Sequence, residues 1–160
     1  MAVSRFGGIW LSAIHYVRID HDQSCNVGNH PGRAPVTMRP AASVQAACAC
    51  VNKRRIGAVL VTDAKDELVG IFTGRDAVRF VAAGKDPVAT PLRAVMTRKP
   101  HTMPPGRTAI EALRLMHDGG FRHVPVIEGE VVVGIVSRGD FRGLEHDRLD
   151  VETGFWERIG

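Results

Sequence analysis

Apolar and polar residues follow a regular pattern only from about residue 36 onward. There, short apolar runs bounded by turn formers alternate with stretches in which apolar residues recur every three or four positions, the spacing of an amphipathic helix. This pattern predicts the order strand, helix, strand, strand, helix. The predicted elements are a strand at 36–38, a helix at 43–52, strands at 56–61 and 68–72, and a helix at 73–83 that ends before Gly84.

The same order of elements returns about 65 residues later, which identifies an internal repeat. The matched segments are 101–103 with 36–38, the helix 108–118 with 43–52, 122–127 with 55–60, and 134–140 with 70–76 without a gap. The chain is therefore predicted to be an α/β (α+β) protein made of two β-α-β-β-α repeats.

Neither repeat is large enough to bury both faces of its own sheet, so the two are expected to pack around a pseudo-twofold axis. Two equivalent clefts are expected at their junction. The predicted organisation is an irregular N-terminal extension at 1–35, a first repeat at 36–91, a second repeat with its spacer at 92–143, and a C-terminal helix within 144–160. The spacer 92–97 is predicted to form a short helix or turn.

The composition describes a chain with a hydrophobic core and an excess of basic residues. Of 160 residues, 44% are hydrophobic and 24% are charged, which excludes a disordered tail, a collagen-like repeat and a membrane-embedded protein. The run 6–14 contains two glycines and lacks a convincing cleavage site, so secretion is not expected. The net charge is +4, and residues 36–143 alone carry 16 basic and 10 acidic residues, a net charge of +6. Aromatic residues make up only 6% and form no stacking array on basic strands, which favours a small anionic ligand over a nucleic acid.

Cys25, Cys48 and Cys50 lack the spacing of a disulfide framework, so a reducing compartment is expected and the cytoplasm is the predicted location. His21, Cys25 and His30 lack a fourth ligand at a regular spacing. No metal site is therefore predicted.

Each repeat carries one polar motif directly after a strand. A strand that ends in Gly-Ile-x is followed by Thr73-x-x-Asp76 in the first repeat and by Ser137-x-x-Asp140 in the second. The spacing is that of a helix capping box, which explains either motif alone as a structural feature. Two such motifs in register also bring a carboxylate, a hydroxyl and a helix N-terminus to the cleft in each repeat. That set suits a ligand with a ribose diol and a phosphate.

No catalytic motif competes with this interpretation. Ser137, His123 and Asp140 are close in sequence, but 134–139 does not fit the Gly-x-Ser-x-Gly elbow because position 135 is Ile. The sequence contains neither a P-loop nor a Gly-x-Gly-x-x-Gly loop. No enzyme activity is expected.

The repeats and their motifs resemble the paired cystathionine-β-synthase (CBS) domains, also called a Bateman module. The resemblance covers about residues 36–143 and rests on the two Gly-Ile-x-Ser/Thr-x-x-Asp signatures, on Arg-Ile-Gly-Ala at 55–58, on Arg-His-Val-Pro-Val at 122–126 and on Val-Met-Thr at 95–97. It implies a tandem CBS fold, ligands that contain adenosine (AMP, ADP, ATP, NAD or S-adenosylmethionine), and a homodimer of modules.

The resemblance also implies roles for individual residues. Asp76 and Asp140 would bind ribose hydroxyls, while Thr73 and Ser137 would bind phosphate. The candidate base contacts are Thr37, Gly57, Ala58, Thr102, Val124 and Pro125, and the candidate phosphate partners are Arg75, Arg122, His123 and Arg138. The arginines beside the two signatures are not at equivalent positions, so the two sites are expected to differ in ligand or affinity.

The predicted function is that of a stand-alone regulatory CBS pair in the cytoplasm. It would sense an adenine nucleotide and signal through a change of shape or assembly to an unknown protein partner. Neither a nucleic acid nor a membrane is an expected partner, and no catalytic cofactor is expected. Two alternatives remain open: a structural or interaction module whose clefts bind nothing, and nucleic-acid binding by the basic middle of the chain.

Overall fold

The structure of the protein is a computed structural model that describes residues 35–141. The predictions for the N-terminal extension, for the set of His21, Cys25 and His30, and for a C-terminal helix concern residues that lie outside this range.

The first repeat has the predicted order of elements. It contains β1 (Thr37–Met38), α1 (Val44–Arg54), β2 (Ala58–Thr62), β3 (Leu68–Thr73) and α2 (Gly74–Ala82). β1 is parallel to β2, and β2 and β3 form an antiparallel hairpin. The spacer forms the expected short helix, a 3-10 turn at Leu92–Ala94. An additional strand that was not predicted, β4 (Thr97–Arg98), pairs antiparallel with β3 at the edge of the four-stranded sheet.

The second repeat follows the same plan with one element reduced. It contains α3 (Ala109–Gly119), β5 (His123–Glu128) and β6 (Val131–Ser137), and a 3-10 helix (Arg138–Phe141) follows β6. β5 and β6 form an antiparallel two-stranded sheet. The strand predicted at 101–103 is reduced to a single parallel bridge between Met103 and Val126. This bridge repeats the pairing of Met38 with Val61 in the first repeat.

Each of the three α-helices within residues 35–141 begins at a hydroxyl residue whose side chain accepts a hydrogen bond from a backbone amide in the first turn. These N-caps are Ser43, Thr73 and Thr108. α1 and α3 also end alike, at Arg55 and Gly120, whose φ angles of 52° and 65° are left-handed. The left-handed caps turn the chain into β2 and β5, the strands whose first residues reach the junction of the repeats.

The hairpins correct the alignment of the two repeats. Ala58 pairs with Thr73 in the first hairpin, and His123 pairs with Ser137 in the second. His123 therefore corresponds to Ala58, and the sequence-based match of 122–127 with 55–60 is wrong by two residues. The physical reason is that side chains of a strand alternate with a period of two, so a shift of two residues leaves the apolar pattern unchanged.

Backbone hydrogen bonds give the same correspondence. The Gly74 amide donates to the Gly57 carbonyl at 3.1 Å, and the Arg138 amide donates to the Arg122 carbonyl at 2.9 Å. The pair Gly57-Ala58 is thus equivalent to Arg122-His123, not to Val124-Pro125.

The first sheet is buried on both faces, which explains the continuous apolar run of β2. Val59, Val61 and Phe72 pack against the helices of the first repeat, whereas Leu60 and Ile71 point to the opposite face. There they form a cluster with Ala58 and Val132, and Val132 belongs to the second repeat. A third core, between α3 and the second sheet, completes the fold. The two repeats therefore share a core, as their small size requires.

The two cysteines of the described part of the chain lie on α1. Cys50 is buried in the core of the first repeat, and Cys48 is half-buried beside it. Burial raises the pKa of the Cys48 thiol.

Candidate functional site

A cavity of about 900 Å³ lies between the two repeats. Its walls come from the starts of β2 and β5, the ends of β3 and β6, the start of α2 and the segment around β4. Both Thr/Ser-x-x-Asp signatures line this cavity. The two clefts predicted at the junction thus form one continuous space.

The first signature is held in a complete capping box. The Thr73 amide donates to Asp76 Oδ2 at 2.9 Å, and the Thr73 hydroxyl donates to the same oxygen at 2.7 Å. The Asp76 amide donates back to Thr73 Oγ1 at 3.4 Å. The Asp76 residue is only 7% exposed, and Arg79 Nη1 lies 3.8 Å from its Oδ1. These hydrogen bonds hold the Asp76 carboxylate in a fixed orientation on the cavity wall.

The second signature is less enclosed. The Ser137 amide donates to Asp140 Oδ2 at 2.7 Å, which repeats the first bond of the capping box. Asp140 is exposed and lies in a 3-10 helix, whereas Asp76 is buried at the start of an α-helix. The two carboxylates occupy equivalent places in the repeats, but their surroundings differ.

Two contacts across the junction fix the shape of the cavity. Arg75 Nη1 donates to the carbonyl of Gly120 at 3.1 Å, which joins the start of α2 to the loop before β5. The His123 imidazole lies against Gly57, where a Cβ atom would overlap the ring. Glycine at position 57 is thus what allows this close approach.

The cavity carries an excess of positive charge. Two carboxylates, those of Asp76 and Asp140, face six cationic side chains on its walls. The cations are Arg55, Arg75, Arg79, Lys99, Arg122 and Arg138. Guanidinium groups bind phosphate oxygens in pairs, so the electrostatics favour a ligand with phosphate groups.

Most of the predicted site residues line the cavity. The ten that do are Gly57, Ala58, Thr73, Arg75, Asp76, Arg122, His123, Ser137, Arg138 and Asp140. They come from both repeats, so the hairpin ends bring together residues that are up to 83 positions apart in sequence.

The other four, Thr37, Thr102, Val124 and Pro125, do not line the cavity. Val124 and Pro125 are fully buried, because the corrected alignment puts them two residues further into the strand than Gly57 and Ala58. Thr37 and Thr102 each follow directly in sequence after a residue that lines the cavity. Neighbouring residues in extended backbone point to opposite sides, and the residues that line the cavity are those before them, at positions 36 and 101.

Sequence reasoning missed two equivalent pairs of residues on the wall. Val36 and Ile56 line it from the first repeat, and His101 and Phe121 line it from the second. The rings of His101 and Phe121 are stacked, with centroids 5.4 Å apart and planes inclined by 18°. An alignment of the repeats at an offset of 65 residues pairs Val36 with His101 and Ile56 with Phe121, and this offset is the signal that reveals them.

Among the titratable groups on the cavity wall, the His123 imidazole has a clearly shifted pKa. Burial lowers its pKa below the ordinary value, and the neighbouring Arg122 guanidinium lowers the pKa further, whereas the Asp140 carboxylate opposes the shift. The ring is therefore neutral at pH 7 in the free protein.

The arrangement of Ser137, His123 and Asp140 does not reproduce a hydrolase triad. Ser137 and His123 are cross-strand neighbours, but the imidazole packs on Gly57 and the Asp140 carboxylate accepts from the Ser137 amide. A triad requires the carboxylate to orient the imidazole towards the hydroxyl. Within residues 35–141, no group of three or more His, Cys, Asp or Glu side chains is placed to hold a metal ion, and no helix is long and apolar enough to cross a membrane.

Comparison with known proteins identifies the repeats. The family model of the CBS domain matches residues 27–83 and 92–147. A CBS domain-containing protein of Arabidopsis thaliana, CBSCBSPB2, is 43% identical over 103 residues, which are 64% of this chain and 19% of that protein. The chain thus spans about a fifth of the length of the plant relatives it matches.

Two solved structures share the fold. A CBS-domain containing protein from Agrobacterium tumefaciens is 38% identical, with a TM-score of 0.64 over 69% of this chain and 83% of that one. A CBS domain protein from Pyrobaculum aerophilum, complexed with AMP, is 24% identical, with a TM-score of 0.67 over 76% of this chain and 93% of that one. At 24% identity, the similarity to the Pyrobaculum protein concerns the fold alone. The matches to both repeats and the shared architecture lead to one conclusion: this chain belongs to the CBS domain family and carries two CBS domains as a tandem pair.

Proposed function

We propose that this CBS pair is a regulatory module that binds an adenine nucleotide in the cavity between its repeats. The observation that carries the proposal is the presence of both signatures and of six cationic side chains on one cavity of about 900 Å³. A carboxylate accepts hydrogen bonds from a ribose diol, and guanidinium groups bind phosphate. The complex of the Pyrobaculum protein with AMP supports the same class of ligand.

The charge of the cavity wall ranks the candidate ligands by their expected affinity. AMP, ADP, ATP and NAD carry phosphates, which are attracted to a wall where six cations face two carboxylates. S-adenosylmethionine carries a sulfonium cation and no phosphate, so the same wall disfavours it. Phosphate-containing nucleotides are therefore the preferred ligands.

The signalling step follows from the position of the cavity. A ligand there touches both repeats, and it shifts an equilibrium between two arrangements only if it binds one of them more tightly. The output is a change of shape or assembly, such as that of a homodimer, which a protein partner reads in the cytoplasm. We assign no catalytic step, no catalytic cofactor, and neither a nucleic acid nor a membrane as partner.

Calorimetric titration of the full chain with AMP, ATP, NAD and S-adenosylmethionine tests the proposal. We expect heat of binding from the phosphate-containing nucleotides and little from S-adenosylmethionine. Ligand at a hundred times its Kd stabilises the native state by about 2.7 kcal/mol, so the melting temperature rises in parallel. Absence of both heat and a thermal shift with all four compounds contradicts the proposal.

The neutral His123 gives a second expected result, a link between binding and pH. A phosphate bound near the imidazole favours its charged form, so the lowered pKa of His123 rises and the complex takes up a proton. Affinity therefore increases as the pH falls from 8 towards 6. Titration in buffers of different ionisation enthalpy measures this uptake.

The matched variant for this test is His123→Gln, because glutamine is uncharged at every pH used. Protons exchanged by the ligand's own phosphate, whose second pKa is near 6, are common to both proteins and cancel in the comparison. Equal proton uptake by the wild type and by His123→Gln contradicts the role of His123.

One observation favours a second function, a structural or interaction module with an empty cavity. The Asp76 carboxylate already accepts two hydrogen bonds from Thr73, so its presence is explained by the capping of α2. The two functions differ in what the loss of this carboxylate does to ligand binding.

A further inference from the structure

The two ends of the cavity are equivalent by the repeat but differ in chemistry. At one end Val36 and Ile56 are half-buried aliphatic residues packed against the first core. At the other end the equivalent positions hold His101 and Phe121, and both are on the cavity wall. The exchange of two branched aliphatic side chains for two flat rings is a departure from the pseudo-twofold symmetry of the cavity wall.

The two rings form a supported, flat surface. They stack with centroids 5.4 Å apart and an interplanar angle of 18°. Phe121 is half-buried and packs on the second core, and its ring lies so close to Gly119 that a Cβ atom there would overlap it. His101 is exposed. One ring is thus anchored, and the other presents its outer face to solvent.

The same end also carries groups that suit a ribose and a phosphate. The bond from Arg75 Nη1 to the Gly120 carbonyl brings the start of α2 next to Phe121. Asp76 lies one residue after Arg75 on that helix. The two rings, the Asp76 carboxylate and the Arg75 side chain thus line one cavity, and the bond from Arg75 to Gly120 links the two segments that carry them.

We propose that the base of the bound nucleotide stacks on the His101–Phe121 pair, with its ribose directed to Asp76. This inference rests on the proposed function. It adds the location of the base within the cavity. A planar base gains about 1–3 kcal/mol by stacking on an aromatic ring, an interaction that Val36 and Ile56 do not offer. The end with the ring pair is the tighter nucleotide site of the two.

The test replaces His101 by the residue of the equivalent position, His101→Val. We expect the affinity for AMP to fall about tenfold, the size of one lost stacking interaction, and the affinity for ribose 5-phosphate, which has no base, to stay the same. His101 is exposed, so the variant folds, and its thermal melt checks this. The matched control is Val81→Ala on α2, because Val81 is 77% exposed and does not line the cavity, so its affinity for AMP is expected to equal that of the wild type.

A spectroscopic measurement separates stacking from other effects. Ring currents of a stacked base shift the Hδ2 and Hε1 resonances of His101 upfield in proton NMR when AMP is added, and ribose 5-phosphate produces no such shift. Wild-type affinity for AMP in His101→Val, or an equal loss of affinity in the control Val81→Ala, overturns the inference while the proposed function stands. If the wild type binds none of AMP, ATP, NAD and S-adenosylmethionine, both proposals are overturned.

Discussion

Replacing Asp76 and Asp140 together by alanine is expected to lower the affinity for AMP by at least about 100-fold. Each carboxylate faces the cavity and can accept charge-assisted hydrogen bonds from ribose hydroxyls, which contribute about 1.5–3 kcal/mol each. Loss of the Asp76 cap costs about 1 kcal/mol of stability, so the variant remains folded. Calorimetry with AMP and a urea denaturation curve measure the two effects separately.

A matched control for the lost cap exists in the same chain. α3 begins with an equivalent capping box, in which the Thr108 amide donates to Glu111 Oε2 at 2.8 Å, and neither residue lines the cavity. These bonds and the neighbouring Arg107 hold the pKa of Glu111 below its ordinary value. Glu111→Ala is expected to destabilise the protein and leave AMP affinity unchanged.

The double variant also decides between the two candidate functions. If the Asp76→Ala, Asp140→Ala protein loses stability but keeps wild-type affinity for AMP, the signatures serve only as caps at these positions. If the wild type binds no nucleotide and only stability changes, the structural or interaction module is the better description.

Local signals in the sequence are sufficient to predict much of the fold. Ser43, Thr73 and Thr108 mark the starts of the three α-helices in the described part of the chain, because a hydroxyl that caps a helix acts within its first turn. The duplication is equally readable, since it needs only the order of the elements. Both predictions are confirmed because they depend on residues close together in the chain.

The register of the repeats was not recoverable from the same signals. The strands β2 and β5 are nearly continuous apolar runs, and a shift of two residues keeps every side chain on its face of the sheet. Only the pairing of Ala58 with Thr73 and of His123 with Ser137 determines the equivalence. The choice of Val124 and Pro125, which are buried and do not line the cavity, follows from this single ambiguity.

The charged residues of the candidate site were predictable from the sequence, because carboxylates and guanidinium groups each imply a particular kind of ligand group. The two signature carboxylates and the three arginines named from the sequence, Arg75, Arg122 and Arg138, lie on the cavity wall. The union of two clefts into one cavity and the stacked pair of His101 and Phe121 were missed, because both depend on how the repeats meet in space. Contacts between segments distant in sequence leave no local pattern.

The core shared by the repeats leads to the other large expected effect. Leu60 is fully buried and packs with Ile71 and Val132, across the junction of the two sheets. Leu60→Ala is expected to lower the free energy of unfolding by about 2–5 kcal/mol, because it removes apolar contacts and leaves a cavity. Against a typical total of about 5–15 kcal/mol, this is a large fraction. Urea denaturation followed by circular dichroism measures the loss.

The number of unfolding transitions tests the shared core directly. Because the cluster contains residues of both repeats, and the Leu68 amide donates to the Glu130 carbonyl at 3.4 Å, Leu60→Ala is expected to move one common transition to lower urea. The control is Val131→Ala in β6, a residue that is 46% exposed, for which a change within about 0.5 kcal/mol is expected. Two separate transitions, or equal losses in both variants, contradict this view. Since Ala58 and Ile71 belong both to the cluster and to the cavity wall, Leu60→Ala is also expected to lower the affinity for AMP proposed above.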